Sequence, residues 1–233
     1  MKKRVLVTGC TRGIGYAISK KFKSMGFYVI GVARQKNYFY EVDEYFECDF
    51  LDDNSTNNLC LKLKNLDLDI VINNAGINIL NDFCNISLEE FVSIQKVNVI
   101  APFNIIQACI PNMMEKRWGR IISIASVWSK KSKKGRSSYS ASKFALDGLT
   151  LAIANEFADK GILCNSISPG FIDTEMTWKN LGVKGVEKIL ENVPIKRLAK
   201  AEEISELVFY LGSEINTYIT GQNISIDGGF TRA

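Results

Sequence analysis

The sequence predicts one α/β domain, residues 1–233, with a doubly wound, mostly parallel sheet of about seven strands flanked by helices. Two observations support this fold class. Short apolar strand segments alternate with helix-like segments along the chain, and a glycine-rich turn joins the first strand to the first helix. No linker, internal repeat or low-complexity tract divides the sequence, so we expect a single domain.

Composition narrows the classes of function. The chain is 46% hydrophobic and 23% charged, which is ordinary for a soluble globular protein. It contains no histidine, which excludes Ser-His-Asp catalysis and every His-ligated metal site. The six cysteines show neither C-x-x-C nor zinc spacing, and they indicate small buried residues in a reducing compartment. We therefore expect no metal.

The N-terminus looks at first like the start of a signal peptide. Its basic residues are followed by an apolar run that is too short for one and is interrupted by Gly9 and Arg12. No segment approaches the roughly 18 apolar residues that a membrane helix needs. We therefore expect a cytoplasmic protein without a membrane partner.

The first strand and helix predict a phosphate-binding turn. Strand 5–7 leads into the glycine-rich segment 8–15, and apolar residues then recur at helical spacing as far as Met25. The glycines let a pyrophosphate approach the backbone, and the helix N-terminus supplies free N–H groups. The spacing is G-x-x-x-G-x-G rather than G-x-G-x-x-G. A turn without a ligand is the plainer interpretation, and the strand–turn–helix context weakens it.

The second strand, 27–32, predicts the choice of cofactor. An NAD-binding domain commonly carries an acid just after this strand, where it binds the ribose 2′-hydroxyl. This chain has Ala33 and Arg34 there, with Arg12 nearby in the glycine-rich turn. Two cations and no acid suit a 2′-phosphate, so the sequence favours NADP(H) over a pair of solvated surface arginines. Few residues separate Arg34 from Asp49, so the helix usual in this crossover is expected to be short or absent.

The rest of the chain continues the alternation of strands and helices. We predict strands at 47–50, 68–72, 120–124, 163–167 and 223–226, and helices at 54–66, 91–116 with a bend at Pro102, 138–160 and 201–212. The segment 176–192 is apolar enough to close over a substrate, and we call it the lid.

Tyr139 and Lys143 are the candidate proton-transfer pair. They lie four residues apart on a helix, so their side chains leave the same face. A cation close to a phenol lowers its pKa from about 10, and such a tyrosine exchanges protons with a carbonyl or an alcohol near neutral pH. Taken alone, a Tyr/Lys pair at this spacing is common on solvated helix surfaces, and an ordinary surface pair would be the plainer interpretation. Ser126 ends a strand, so it converges with Tyr139 at the carboxyl edge of the sheet.

Together the motifs resemble the short-chain dehydrogenase/reductase family from end to end. In family order they are Thr8-Gly9-x-x-x-Gly13-Ile14-Gly15, Asp49, Asn73-Asn74-Ala75-Gly76, Asn98, Ser126, Tyr139-x-x-x-Lys143, Pro169-Gly170 and Asp227-Gly228-Gly229. Within the family the chain looks most like the 3-oxoacyl-acyl-carrier-protein reductases, through Phe171–Met176 and Ile219–Gln222. The resemblance implies a Rossmann fold. The short segment after Arg34 departs from the family pattern.

The resemblance also implies a role for each site residue. Tyr139 protonates the carbonyl oxygen, Lys143 lowers its pKa and binds the nicotinamide ribose, and Ser126 hydrogen-bonds the substrate oxygen. Asn98 holds a water that links Lys143 to solvent. The implied cofactor-binding residues are Gly9, Thr11, Arg12, Gly13, Ile14, Gly15, Arg34, Asp49, Asn73, Ala75, Gly76, Tyr139, Lys143, Pro169, Gly170, Ile172 and Thr174.

These roles predict an NADPH-dependent oxidoreductase that reduces a ketone to a secondary alcohol. The first substrate class is a 3-oxoacyl thioester of acyl-carrier protein or coenzyme A, and the alternative is another anionic substrate such as a nucleotide-linked sugar. A non-catalytic dinucleotide-binding sensor or scaffold is the alternative of another class, and the intact catalytic set speaks against it. By analogy with the family we expect a homo-oligomer, a tetramer or a dimer, formed through the two long helices.

A cluster of cations gives a further expectation about the substrate. The chain has a net charge of +4, yet no acidic residue lies between Glu115 and Asp147. The loop between Ser126 and Tyr139 contains Lys130, Lys131, Lys133, Lys134 and Arg136. A cationic rim at a cleft raises the encounter rate with anions, so we expect a substrate on an anionic carrier. A solvated loop is the plainer interpretation. One short basic loop is a poor nucleic-acid footprint, and we expect no nucleic acid.

Overall fold

The computed structural model describes residues 2–35 and 41–233. Its sheet has seven strands in the order β3-β2-β1-β4-β5-β6-β7, and every neighbouring pair is parallel. The strands are β1 (Arg4–Thr8), β2 (Tyr28–Ala33), β3 (Glu44–Glu47), β4 (Ile70–Asn73), β5 (Gly119–Ile124), β6 (Ile162–Pro169) and β7 (Asn223–Ile226). The predicted doubly wound parallel fold is confirmed.

Helices cover both faces of the sheet. They are α1 (Gly13–Ser24), α2 (Asp53–Leu63), α3 (Leu88–Gln95), α4 (Ala101–Lys116), α5 (Ser137–Phe157), α6 (Glu175–Leu190) and α7 (Ala201–Gly212). One apolar core lies between the sheet and α2, α4 and α5, and a second between the sheet and α1 and α7. Alternation along β1 divides its side chains between the cores, with Leu6 in the first and Val5 and Val7 in the second.

The strand order creates the crevice in which the site lies. The chain proceeds from β1 to β3 in one direction and from β4 to β7 in the other, so the order reverses between β1 and β4. Ligands bind at such a switch point, beyond the carboxyl ends of the strands. The glycine-rich turn after β1 and the loops after β4 and β5 all emerge there.

Two elements differ from the sequence predictions. β3 lies at Glu44–Glu47 rather than 47–50, because Tyr45 and Phe46 pair with β2 and leave Asp49 in the loop beyond the strand. The predicted continuous helix 91–116 is interrupted by a π-helical segment, Lys96–Ile100, between α3 and α4. Pro102 does not bend it: it lies in the first turn of α4, where proline is well tolerated.

The crossover between β2 and β3 is only partly described. Residues 34–35 and 41–43 contain no helix, in line with the expected shortening. The remainder of that prediction falls on residues 36–40, outside the described residues.

One helical run has the dimensions of a membrane span. The helical run Leu88–Lys116 covers 29 residues, and an 18-residue window within it reaches a mean hydropathy of 1.2 although Lys96, Asn98 and Asn104 interrupt its apolar residues. Buried residues make up 56% of this 18-residue window. Ile105, Cys109 and Met113 belong to the core between the sheet and α2, α4 and α5. The core packing of this domain accounts for its apolar character.

Candidate active site

A cleft of about 930 Å³ opens beyond the carboxyl ends of the strands. It runs from the end of β2, past the glycine-rich turn, to the head of α5 and the lid. Most of the predicted site residues line it, namely Gly9, Thr11, Arg12, Gly13, Ile14, Arg34, Asp49, Ala75, Gly76, Ser126, Tyr139, Lys143, Pro169, Gly170, Ile172 and Thr174.

Three predicted residues lie behind the described cleft wall. Gly15 is buried in α1, where an added Cβ would stand 2.1 Å from the carbonyl oxygen of Gly9, so its role is close strand–helix packing. Asn73 is buried at the end of β4, and its amide atoms have no hydrogen-bond partner among the described residues. Asn74 lines the cleft in its place, donating from Nδ2 to the carbonyls of Thr8 (3.0 Å) and Gly9 (3.1 Å). Asn98, the third, lies behind Gly76.

The N-terminus of α1 fits a pyrophosphate. The helix begins at Gly13, has no side-chain cap and carries no acidic residue in its first turn, so its N–H groups are free to face the cleft. Gly9 and Gly13 have φ angles of 66° and 53°, which side-chain-bearing residues rarely adopt. A Cβ on Gly9 would also lie 2.9 Å from Nδ2 of Asn74. The turn therefore exposes backbone N–H donors to the cleft, because neither glycine has a side chain that would cover them.

The far end of the cleft carries the two predicted cations. Arg34 is exposed, and Asp49 lies close by in the lining. Arg12 is 67% exposed and forms a salt bridge of 3.0 Å from Nη1 to Oε2 of Glu175, in the first turn of α6. Both arginines line the cleft, and Arg12 already has an anionic partner in Glu175.

Ser126 and Tyr139 meet at the opposite end of the cleft. Ser126 follows β5 and accepts a hydrogen bond from the backbone N–H of Trp128 (3.3 Å). Burial raises the pKa of Tyr139, whereas its hydrogen bond with Ser126 and the positive charge of Arg136 lower it. Burial has the largest effect, so the pKa of Tyr139 is raised overall, and the two groups that favour the phenolate offset part of that rise.

Lys143 lies on the same face of α5 as Tyr139, as its spacing predicted, but its amine binds elsewhere. Its Nζ donates a hydrogen bond of 2.7 Å to the carbonyl of Ile124 and lies 5.6 Å from the centre of the Tyr139 ring. Burial lowers the pKa of the amine to about 8. The sequence predicted that Lys143 lowers the pKa of Tyr139, but in this structure burial raises that pKa overall, and the groups that offset part of the rise are Ser126 and Arg136.

Asn98 fixes the wall behind Lys143. Its Nδ2 donates to the carbonyl of Ile77 (3.0 Å) and to Oγ of Ser142 (3.0 Å), and its Oδ1 accepts from the N–H of Ile77 (2.9 Å). The π-helical segment presents this amide to the loop after β4. A Cβ on Gly76 would stand 3.3 Å from Oδ1 of Asn98 and 3.6 Å from Nζ of Lys143. Its predicted role in holding a water stays a prediction.

Comparison with known proteins settles the family. The family profile described as enoyl-(acyl carrier protein) reductase matches residues 9–231. The 3-oxoacyl-[acyl-carrier-protein] reductase FabG of Buchnera aphidicola subsp. Schizaphis graminum is 38% identical over 98% of this chain and 97% of that protein. FabG of Escherichia coli strain K12 is 36% identical over 97% of this chain and 96% of that protein. The chain belongs to the short-chain dehydrogenase/reductase family.

Solved structures of short-chain dehydrogenases/reductases agree with this assignment. A chain assigned as an NAD(P)-dependent gluconate 5-dehydrogenase, from Beutenbergia cavernae and holding NADP at low occupancy, has a TM-score of 0.95 at 28% identity, over 99% of this chain and 97% of that one. A 4-hydroxyisoleucine dehydrogenase in complex with NADH has a TM-score of 0.92 at 32% identity, over the whole of both chains. At the level of the family, these comparisons confirm the predictions of an oxidoreductase and of an NADP-type cofactor.

The basic loop of this short-chain dehydrogenase/reductase is less open than its sequence suggested. Lys130 donates to the carbonyl of Asn223 (2.8 Å), and Lys131 donates to that of Phe230 (3.0 Å) with its Nζ 3.8 Å from the Phe230 ring centre. Lys134 is 86% exposed and lies 3.5 Å from Asp82. Only part of the expected cationic rim faces solvent.

Two of the residues that line the cleft had no site role in the sequence reasoning and matter for the chemistry. Trp128 lines the cleft and packs edge-to-face on Phe171 and Phe230. Arg136 lines it as well and is buried. A weak signal existed: Arg136 stands three residues before Tyr139, a spacing that places both on one side of a helix start. The surrounding lysines concealed it in a run that looked uniformly solvated.

Proposed function

We propose that the protein, acting as one dinucleotide-binding domain, is an NADPH-dependent reductase that converts a ketone to a secondary alcohol. The observation that carries the proposal is the convergence of Ser126, Tyr139 and Lys143 at one end of the cleft whose other parts fit a dinucleotide phosphate. Hydride comes from the nicotinamide when NADPH is bound, and the protein supplies position and a proton.

Two side chains would act on the substrate oxygen, and three others would support them. Ser126 donates a hydrogen bond that polarises the carbonyl, and Tyr139 transfers its phenolic proton to the oxygen as negative charge develops there. The positive charge of Arg136 stabilises the resulting phenolate, because the single hydroxyl proton of Ser126 is already donated to the substrate oxygen. Lys143 holds the ribose beside the phenol, and Asn98 holds the loop that borders them.

The residues for NADPH follow from the shape of the cleft. The N–H groups of α1 would bind the pyrophosphate, and Arg12 with Arg34 would bind the 2′-phosphate. Asp49 borders the adenine end. Absence of an acid at the end of β2 supports NADPH over NADH, because nothing there replaces the carboxylate that binds a free 2′-hydroxyl.

A 3-oxoacyl thioester is the substrate class that the relatives support. The similar proteins from Buchnera and Escherichia coli are reductases of 3-oxoacyl groups on acyl-carrier protein. The lid carries apolar Met176 and Leu181 into the cleft lining, which suits an acyl chain. A non-catalytic sensor is the weaker proposal, because dinucleotide binding alone does not require Ser126 and Tyr139 together.

We extend the proposal to assembly and location. Phe103 on α4 and Phe144 and Leu151 on α5 are exposed apolar side chains, as expected where these helices pair with those of another copy. A homo-oligomer, a tetramer or a dimer, in the cytoplasm is the corresponding proposal. Sedimentation of the purified protein tests the first part.

One assay tests the reaction. NADPH absorbance is followed with acetoacetyl-acyl-carrier protein, acetoacetyl-coenzyme A and methyl acetoacetate as substrates. We expect NADPH-dependent consumption of at least one ketone, a much lower rate with NADH, and loss of activity in Tyr139→Phe. Binding of NADPH without turnover of any ketone would favour the sensor instead.

A further inference from the structure

Arg136 is a buried cation without a counter-charge. Its residue is only 5% exposed, and its Nε is buried with no hydrogen-bond partner among the described residues. Within residues 2–35 and 41–233 its guanidinium forms no salt bridge, and residues 36–40 contain no acid. A buried charge is costly unless it is paired and hydrogen-bonded, so this arrangement calls for an anion from outside the chain.

The cleft itself does not supply that anion. Among its described lining residues only Asp49 and Glu175 are acidic. Asp49 lies at the adenine end, and Glu175 already pairs with Arg12. The dinucleotide carries its phosphates to α1 and to Arg12, at the other end from Tyr139. The remaining source of negative charge beside Arg136 is the substrate.

The surroundings of Arg136 strengthen its attraction for an anion. Its guanidinium carbon lies 5.4 Å from the Trp128 ring centre, and Nζ of Lys133 lies at the same distance from that ring. Burial lowers the pKa of Lys133, and so do the positive charges of Arg136 and of Lys188 on α6. Lys133 and Arg136 thus both lie against Trp128, with Arg136 the more buried, and Lys188 lies within electrostatic reach of Lys133.

A purely structural role for Arg136 does not explain why its side chain is charged. Stacking on Trp128 gives a reason for a flat side chain at position 136, but a neutral residue would stack without the cost of burying a charge. The guanidinium also lines the cleft and lowers the pKa of Tyr139, so it lies within electrostatic reach of the reacting oxygen.

We propose that Arg136 is a specificity residue that binds a carboxylate on the substrate, a few bonds from the ketone that Tyr139 protonates. Of Lys133, Arg136 and Lys188, only Arg136 is among the described residues that line the cleft. One planar guanidinium matches a carboxylate in charge and in its two-point hydrogen-bond geometry, whereas a phosphate dianion would remain half-compensated. The substrate class is therefore an oxo acid. This inference rests on the proposed ketone reduction and favours a free oxo acid over the 3-oxoacyl thioester of the relatives, because the acyl end of a carrier-linked thioester is uncharged.

Matched pairs of substrates test the proposal. Acetoacetate, levulinate and 5-oxohexanoate are each compared with their methyl esters, which keep the ketone and remove the charge. For at least one pair we expect wild-type kcat/KM to favour the carboxylate by tenfold or more. In Arg136→Gln that preference should fall roughly 10- to 100-fold, the range for a hydrogen bond to a charged group. Turnover of the ester should fall less than that of the acid, because both substrates lose the stabilisation of the Tyr139 phenolate and only the acid also loses its ion pair. Arg136→Lys should restore part of the preference.

A control separates specificity from general effects of charge. Lys20→Gln makes the same change in net charge at an exposed position of α1 and should leave every ratio unchanged. Equal losses for acid and ester in Arg136→Gln would assign the arginine a structural role and overturn the inference. A wild-type enzyme that reduces esters but never prefers the acid would overturn it too, while the proposed ketone reduction stands.

A binding measurement keeps the inference testable if no ketone in this set is reduced. Calorimetric titration of the NADP⁺ complex with the three oxo acids measures affinity without turnover. For at least one of the three oxo acids, we expect Arg136→Gln to bind at least tenfold more weakly than the wild type does. Equal affinities in wild type and variant would reject the role of Arg136, whereas absence of turnover alone would count against the proposed reaction.

Discussion

Nζ of Lys143 lies 5.6 Å from the centre of the Tyr139 ring, one helical turn along α5, and its hydrogen bond goes to the carbonyl of Ile124. The pair therefore shares a face without a direct charge-assisted bond to the phenol. Burial lowers the pKa of Lys143 to about 8 and raises that of Tyr139. The tyrosine depends on Ser126 and Arg136 for stabilisation of its phenolate.

The proposed acid is tested by Tyr139→Phe. The substitution removes the phenolic proton and keeps the ring, so kcat should fall about 100-fold or more, in the range for a lost general acid. NADPH affinity, measured by fluorescence titration, should hardly change because the phosphate sites lie at the other end of the cleft. Near-normal turnover of the best ketone would show that another group donates the proton.

The cofactor preference depends on Arg12 and Arg34. Replacing both by alanine removes two contacts to a 2′-phosphate, each worth roughly 1.5–3 kcal/mol when charge-assisted. NADPH affinity should therefore drop by well over tenfold, with NADH affinity nearly unchanged. Equal losses for the two cofactors, or an initial preference for NADH, would contradict NADP specificity.

Glu175→Gln tests the contact between Arg12 and the 2′-phosphate with the opposite expected sign, because it should strengthen NADPH binding. Arg12 pairs with Glu175 at 3.0 Å, so a 2′-phosphate competes with this carboxylate for the guanidinium. Removing its charge should strengthen NADPH binding by a few-fold, an increment suited to an exposed ion pair. NADH affinity serves as the control, and a matching rise there would mean that the 2′-phosphate is not involved.

The features predicted correctly from sequence are those that local patterns determine. Alternating apolar residues identify Val5–Val7 as a strand, and the glycines that follow require the turn into α1, because few other residues adopt its φ angles. The i, i+4 spacing likewise places Tyr139 and Lys143 on one face of α5. These inferences need no knowledge of distant contacts.

The features that were missed depend on contacts between distant residues. Lys131 looked like a free surface cation, but it binds the carbonyl of Phe230, which lies 99 positions away. Arg136 is buried because Trp128 packs among Phe171 and Phe230, which the periodicity of the loop does not reveal. The π-helical segment around Asn98 follows from its bonds to Ile77 and Ser142, again across the fold.

The exposed part of the basic loop gives a prediction about carriers. Reversing Lys133 and Lys134 to Glu should raise KM for acetoacetyl-acyl-carrier protein, because exposed cations steer an anionic partner toward the cleft. Raising salt from about 50 to about 300 mM should have the same effect, since the Debye length falls below about 10 Å in that range. Methyl acetoacetate is the uncharged control. If both substrates respond alike, the loop is a solvated surface.

The tethered part of the loop predicts a different outcome. Lys130 and Lys131 hold the carbonyls of Asn223 and Phe230, so Lys130→Gln with Lys131→Gln should lower the free energy of unfolding by about 1–2 kcal/mol, as expected for the loss of two exposed or partly buried bonds. KM for either ketone should change less than after reversal of Lys133 and Lys134. Urea unfolding followed by tryptophan fluorescence measures the stability. An unchanged midpoint would show that these contacts do not stabilise the fold.

The buried amine of Lys143 predicts how stability depends on pH. Its pKa falls from an ordinary 10.5 to about 8 on folding, because burial disfavours the charged form. Between pH 8 and 10.5 the unfolded chain therefore binds more protons at this site than the folded one, and stability rises with pH there. The cost of burying the charge is fully present below pH 8 and is lost above 10.5, a difference of about 3 kcal/mol.

Comparison with Lys143→Met isolates this contribution, because the other titrating groups are common to both proteins. Without cofactor, wild type minus variant stability should stay level up to about pH 8, rise by about 3 kcal/mol by pH 10.5 and then level again. Urea unfolding at a series of pH values gives the curve, and Lys20→Gln, which changes an exposed amine, should show no such rise. A flat difference for Lys143→Met would mean that the amine stays solvated in the free enzyme, and hence that the cofactor, rather than the fold, desolvates it.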